Sequence, residues 1–247
     1  TSTTSTTLHN ADHDIITVGS SVPLDTVMHD LATVTPSAAV PATGTVTFRF
    51  YGTQSACTED VGFTGGTTKG VIAVVGGEAH PSDSTGALAA GNYAFKAQYS
   101  GDDNYTGSTS DCENFSVSQG TTQVSTTLHK DPHSVVADND HVPLGTTMHD
   151  SAMVTVSGSF APTGSVSFRF FANGSCQGEG ADAGTVALDT NNPGVAHASD
   201  SFGPLYAGIY SFMASWPGDN NYPEGDSSCE PFVVDKADLD ISTTLHN

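Results

Sequence analysis

The stretch Thr45-Val46-Thr47-Phe48-Arg49-Phe50 alternates polar and apolar side chains with a period of two. Successive side chains of a strand point to opposite faces, so Val46, Phe48 and Phe50 share one apolar face. The pattern returns 120 residues later (165 − 45) as Ser165-Val166-Ser167-Phe168-Arg169-Phe170. Both stretches therefore predict half-buried β-strands, and their similarity indicates a long internal repeat.

The repeat covers nearly the whole chain. The sequence Ser-Thr-Thr-Leu-His occupies residues 5–9, 125–129 and 242–246, at intervals of 120 (125 − 5) and 117 (242 − 125) residues. Intervals of this length are typical of whole small domains. We expect one domain at residues 1–120 and a second at 121–239. Residues 240–247 then read as the first strand of a further repeat, or as a strand added to an open sheet edge.

Each repeat predicts an all-β domain. Thr, Val, Ser and Phe dominate the periodic segments, and Gly, Pro, Asn and Asp separate them. About seven short strands per repeat predict a β-sandwich, so the expected fold class is two tandem sandwiches. Tyr93 and Tyr210 each follow a Gly turn, as the structural tyrosine of a tyrosine corner does. The two copies differ in length within residues 52–76 and 172–193, which we expect to be surface loops.

Three motifs follow one another in each copy: Gly-x-Val-x-Phe, then Ala-Gly-x-Tyr-x-Phe, then Tyr-x-Gly-Asp-x-Asn-Tyr. The last spans residues 99–105, and Trp216 replaces its first Tyr in the second copy. In this order the motifs resemble those of the bacterial Ig-like repeat domains that occur in tandem on large surface proteins and adhesins. The resemblance implies an extracellular stalk or adhesive module and brings no catalytic residues with it.

The charge of the chain excludes some classes of partner. The 247 residues carry 27 Asp and Glu against 6 Lys and Arg, a formal net charge of −21. Such a chain repels nucleic acid and anionic lipid surfaces, and no stretch is apolar enough to span a bilayer. The expected partners are copies of itself joined end to end or neighbouring repeats of the same chain. A surface ligand is the other partner that the sequence allows.

The four cysteines fall at matching places, two per repeat, without the Cys-x-x-Cys spacing of many metal sites. An even pair per domain predicts one disulfide in each repeat and an oxidising compartment. The expected location is therefore extracellular or at the cell surface. The residues concerned are Cys57 and Cys112, and Cys176 and Cys229.

Histidines also recur at matching places, and two of them precede an Asp on a predicted strand. Imidazole and carboxylate are transition-metal ligands, so a divalent metal is one hypothesis, although no cofactor is otherwise indicated. The alternatives are a structural His–Asp hydrogen-bond cluster and exposed histidines without a role. The candidate ligands are His9, His13, His29, Asp30, His129, His133, His149 and Asp150; His80 and His197 are assigned structural roles with Tyr93 and Tyr210.

The predicted function is a stalk or filament segment that spaces other domains, with head-to-tail polymerisation as one form. The alternatives are a carbohydrate- or protein-binding adhesin module and a metal-binding filament built on His and Asp. We do not expect an enzyme, because no Ser lies in a Gly-x-Ser-x-Gly elbow and no other nucleophile is positioned by its sequence context.

Overall fold

A computed structural model describes residues 1–246. The chain forms two compact units, Thr1–Gly120 and Thr121–Asn247. Each unit contains two β-sheets, and the predicted all-β tandem sandwich is confirmed. Residues 1–246 contain no helix that is both long enough and apolar enough to cross a membrane.

Unit 1 has ten strands and one short helix. Their bounds are β1 (Ser2–Asn10), β2 (Ile15–Ile16), β3 (Ser21–Val22), β4 (Met28–Pro36), β5 (Thr45–Tyr51), α1 (Gln54–Glu59), β6 (Thr67–Ala73), β7 (Glu78–Ala79), β8 (Gly91–Gly101), β9 (Thr106–Thr109) and β10 (Glu113–Val117). One sheet has the order β2-β1-β4-β7, and the other has the order β3-β10-β8-β5-β6 with β9 beside β8.

Unit 2 repeats this topology without the helix. Its strands are β11 (Thr122–Lys130), β12 (Ser134–Val136), β13 (His141–Val142), β14 (Met148–Val156), β15 (Ser165–Phe171), β16 (Ala181–Ala187), β17 (Val195–His197), β18 (Gly208–Trp216), β19 (Gly225–Asp226) and β20 (Glu230–Val234). The sheets have the orders β12-β11-β14-β17 and β13-β20-β18-β15-β16, with β19 beside β18.

The core lies between the two sheets of each unit and follows the predicted alternation. Val46 and Phe48 of β5 are fully buried, as are Phe95 of β8 and Phe115 of β10. Trp216 of β18 is also fully buried, takes the place of Tyr99 in the repeat, and donates its indole N–H to the Thr163 carbonyl at 3.0 Å. The period-two pattern thus identifies the inward face of the central strands.

Each unit contains one disulfide. Cys57 of α1 is bonded to Cys112, and Cys176 to Cys229. Each bond ties the segment after the fifth strand to the segment before the last strand of its unit. The chain therefore contains a disulfide-closed loop in each sandwich, as secreted domains commonly do.

Both predicted corner tyrosines make the expected bond. The Tyr93 hydroxyl donates to the Ala89 carbonyl at 2.9 Å, and the Tyr210 hydroxyl donates to the Tyr206 carbonyl at 3.1 Å. Each bond spans four residues and holds the turn that precedes a central strand.

We expect Tyr93→Phe to lower the unfolding free energy of unit 1 by about 1 kcal/mol, the net value of one such hydrogen bond. Calorimetry of the whole chain measures it, and Tyr210→Phe should act only on the unit 2 transition. No change in either transition would mean that the corner bonds contribute nothing to stability.

The Gly-Asp-x-Asn-Tyr motif is a structural clamp. One Asp102 carboxylate oxygen accepts from the N–H groups of Asn104 and Tyr105, at 2.8 Å each, and the other accepts from the N–H and hydroxyl of Thr43. These donors lower the pKa of Asp102 below its ordinary range. The acidic loop therefore fixes a turn, and its carboxylate is already saturated with donors.

Three stretches depart from the sequence prediction. Residues 52–76 and 172–193 were expected to form surface loops, but the first contains α1 and the edge strand β6 and the second contains the edge strand β16. Residues 240–246 were expected to form a strand, but residues 235–246 form none and are exposed. Asn247, the last residue of that predicted strand, lies outside the described residues.

Candidate metal centre

The centre of the site is a pair of histidines on neighbouring strands. His9 of β1 stands directly opposite His29 of β4, and their rings stack with centroids 5.5 Å apart. His29 is 3% exposed and His9 8%, which is unusual for side chains on the outer face of a sheet. They are covered because two further histidines lie over them.

The cover comes from two connections that fold back onto the sheet. The Asn10 side-chain oxygen accepts from the N–H groups of Asp12 and Asp14, which forms a tight turn between β1 and β2. This turn brings His13 to His29, with its Nδ1 3.1 Å from the His29 Nε2. His80 follows β7, the strand beside β4, and its ring centroid lies 5.4 Å from that of His29.

Unit 2 contains the same arrangement of four histidines. His129 and His149 stand opposite each other on β11 and β14, with ring centroids 5.3 Å apart. The His133 Nδ1 lies 3.2 Å from the His149 Nε2, and His197 ends the neighbouring strand β17. The His149 Nδ1 additionally faces a carboxylate oxygen of Asp131 at 3.2 Å.

The surroundings keep the central imidazoles neutral. Burial, reinforced by His13, His80 and His9, lowers the pKa of His29 to about 4. Burial likewise lowers the pKa of His149, although Asp131 opposes the shift. A charged imidazole loses hydration here and is repelled by its neighbours, so the neutral ring prevails at pH 7.

The two predicted carboxylate ligands lie elsewhere. Asp30 follows His29 on β4, so its side chain points to the opposite face, into the core, where it is fully buried. Burial and the neighbouring Glu113 raise its pKa well above its ordinary value. The expected His–Asp hydrogen-bond cluster is therefore not formed by Asp30, and the equivalent Asp150 is fully buried in the same way.

The buried carboxyls form acid pairs of their own. Asp150 has its pKa raised to about 9, first by burial and then by Glu230. Burial also raises the pKa of Glu230 to about 7, while the nearby Thr126 side chain opposes the shift. Two buried carboxyls that repel each other cannot both ionise cheaply, so at neutral pH Asp150 keeps its proton.

The structure therefore regroups the predicted site residues. It brings together His9, His13 and His29 with His80, and His129, His133 and His149 with His197; the last member of each set was assigned a structural role from sequence. In each unit three imidazoles offer nitrogen atoms that all lie within 4.8 Å of one another: His9, His29 and His80, and His129, His149 and His197. Neutral imidazoles at such separations are a donor set for transition metals.

Comparisons with known proteins give no family assignment. No family model matches the chain, and no curated protein matches it. Among solved structures, the C-terminal domain of the Streptococcus agalactiae AgI/II polypeptide BspA is similar at 10% identity and a TM-score of 0.30, over 95% of this chain and 100% of that chain. That of the Streptococcus pyogenes antigen I/II-family protein AspA has 9% identity and a TM-score of 0.30, over 94% and 99%.

Red sea bream transglutaminase matches equally well, with 12% identity and a TM-score of 0.33 over 95% of this chain and 31% of that chain. Likeness at this level does not distinguish a surface protein from an enzyme, and we base no functional argument on it. The class defined by the structure itself is a tandem, disulfide-bonded β-sandwich protein with a histidine cluster on each sandwich.

Proposed function

We propose that the chain is a load-bearing spacer segment of an extracellular or cell-surface protein. The observation that carries this proposal is that the polypeptide enters unit 1 at one end of the sandwich and leaves at the other. Ser2 lies beside Ser108, near the cluster that contains Val34 and Tyr105. Val117 belongs to the opposite cluster, with Val22. A domain crossed from end to end adds its full length to a chain of domains.

The strand order favours resistance to tension. β1 pairs with β4 along nine residues, from Ser2 opposite Pro36 to Asn10 opposite Met28. Tension applied at residue 1 pulls β1 lengthwise along β4, so the interstrand hydrogen bonds, which are perpendicular to the strands, are loaded together. The parallel pair β3–β10 is loaded in the same way at the other end. Failure then requires many bonds to break at once.

The disulfides suit the same role. Cys57–Cys112 closes 55 residues and prevents them from extending under load. Disulfides also belong to proteins that mature in an oxidising compartment, which supports an extracellular location.

The exposed segment after β20 supports continuation of the array. Ile241 and Leu245 are 89% and 96% exposed. In the repeat they correspond to Val124 and Leu128, which are buried in β11. We propose that this segment becomes the first strand of a further sandwich, in the same chain or in another copy, and that neighbouring repeats are therefore the partners.

The binding-module alternative has less support. The single Trp of the chain, Trp216, is fully buried, whereas Tyr206 is exposed. A surface that grips a ligand normally clusters several exposed aromatics.

Single-molecule force spectroscopy tests the spacer proposal. Pulled between its ends, the oxidised chain should show two unfolding events. Reduction should lengthen the unit 1 extension by about 200 Å, because 55 more residues extend at up to about 3.6 Å each.

The control pulls the same chain through handles at residues 1 and 37. The backbone N–H of Ser37 donates to the Thr1 carbonyl, so these residues lie at the same end of β1 and β4. That direction separates β1 from β4 one pair at a time and should need a lower force. Equal forces in the two directions would refute the load-bearing role.

A further inference from the structure

We infer that each unit binds one divalent transition-metal ion of intermediate softness, of the Zn²⁺ or Cu²⁺ class, through four imidazoles. The ligands are His9, His13, His29 and His80 in unit 1, and His129, His133, His149 and His197 in unit 2. This inference goes beyond the spacer role and does not depend on it.

The closest nitrogen atoms already have the spacing of metal ligands. Bonds of 2.0–2.1 Å to a tetrahedral Zn²⁺ place neighbouring ligand nitrogens about 3.3–3.4 Å apart. The His13 Nδ1 and His29 Nε2 are 3.1 Å apart, and the equivalent atoms of His133 and His149 are 3.2 Å apart. The nitrogens of His9, His29 and His80, and of His129, His149 and His197, all lie within 4.8 Å of one another.

Hydrogen bonds select the tautomers that the metal requires. The His9 Nδ1 donates to the Thr7 carbonyl at 2.9 Å, so its proton resides on Nδ1 and the lone pair on Nε2. In unit 2 a carboxylate oxygen of Asp131 lies 3.2 Å from the His149 Nδ1, an electrostatic contact without hydrogen-bond geometry. A carbonyl or carboxylate behind a histidine is the usual outer partner of a metal-bound imidazole.

The ligand atoms of the four imidazoles determine which class of ion the site binds. Neutral nitrogen donors suit Zn²⁺, Cu²⁺, Ni²⁺ and Co²⁺, whereas Ca²⁺ and Mg²⁺ prefer oxygen. The buried Asp30 and Asp150 face away, so the ion's charge is balanced at longer range by a chain with a net charge of −21. His80 and His197 are exposed at the rim, which leaves the ion a path to the buried pair.

The site would also hold separate parts of the chain together. In unit 1 the four ligands come from β1, the β1–β2 turn, β4 and the residue after β7. A bound ion therefore links three neighbouring strands of one sheet and should stabilise the folded unit, because it binds the folded state preferentially.

The test is titration of the full chain, prepared without a histidine tag and in metal-free buffer at pH 7.5, with Zn²⁺ by calorimetry and with Co²⁺ by visible absorption. We expect two ions per chain, the intense visible bands of four-coordinate Co²⁺, and a higher thermal midpoint for both units. His29→Ala should leave one ion per chain, His149→Ala one, and the double variant none.

Two further variants distinguish metal binding at the histidine clusters from metal binding elsewhere on the chain. His141→Ala is the matched control, because His141 pairs with Asp235 outside both clusters, and it should still bind two ions. His80→Ala changes an exposed position after β7 and should weaken unit 1 binding at least about 100-fold while circular dichroism stays unchanged. Fewer than one ion per chain at 100 µM free Zn²⁺, or equal losses in the His141 and His80 variants, would overturn the inference.

Discussion

Replacing Cys57 and Cys112 together by Ala is expected to lower the unfolding free energy of unit 1 by about 4 kcal/mol. The bond closes a loop of 55 residues, and in the chain-entropy model the removal of that constraint releases about this much conformational entropy in the unfolded chain. Cys57 is also fully buried against Tyr51 and Ala94, so loss of its sulfur loosens local packing. Denaturant unfolding of the whole chain, followed in both units, measures the effect.

The second unit provides the matched control within the same molecule. Its disulfide, Cys176–Cys229, closes a loop of nearly equal length, 53 residues. The Cys57 and Cys112 variant should shift only the unit 1 transition, and the Cys176 and Cys229 variant only that of unit 2. A shift below about 1 kcal/mol in either case would show that the disulfides do not limit the unfolded chain.

The sequence predicted the parts of the fold that follow a simple period. Val46 and Phe48 alternate with polar residues and are fully buried, because a strand between two sheets must separate its faces strictly. The helix α1 was missed because six residues are too few to show a helical period. Thr53 caps its N-terminus, because the Thr53 hydroxyl accepts from the Ala56 N–H at 3.1 Å. This capping Thr was present in the sequence, but a single capping residue does not distinguish so short a helix from a loop.

The site was predicted less completely, for a geometric reason. The repeat interval identified His9, His13, His29 and His80, but the strand order that places β7 beside β4 could not be read from the sequence, so His80 was given a structural role. Asp30 was grouped with the histidines because an inward carboxylate needs hydrogen-bond partners, although adjacent residues of a strand face opposite ways. Sequence proximity was a poor guide to chemistry at this point.

The buried acid pairs make stability depend on pH in an unusual direction. The pKa of Asp150 is about 9 in the folded unit against 3.8 as its ordinary value. Between these values the folded state holds a proton that the unfolded state releases, so the stability of unit 2 falls as pH rises from about 4 to about 9. Below pH 4 both states are protonated and the penalty is absent.

Asp150→Asn should therefore stabilise unit 2 at pH 8, by on the order of 3 kcal/mol, and change it little at pH 4. The amide oxygen can still accept from the Ser151 N–H, which donates to the Asp150 carboxyl at 2.8 Å. The amide N–H can donate to Glu230, and unlike a carboxyl the amide releases no proton as the pH rises. Denaturant unfolding from pH 4 to pH 9 should give a flatter curve for the unit 2 transition, while unit 1 keeps its slope. Asp30→Asn should instead flatten the curve for the unit 1 transition, while unit 2 keeps its slope. A loss of stability at every pH would mean that these carboxyls are ionised and specifically bound in the core, and that burial does not govern their protonation.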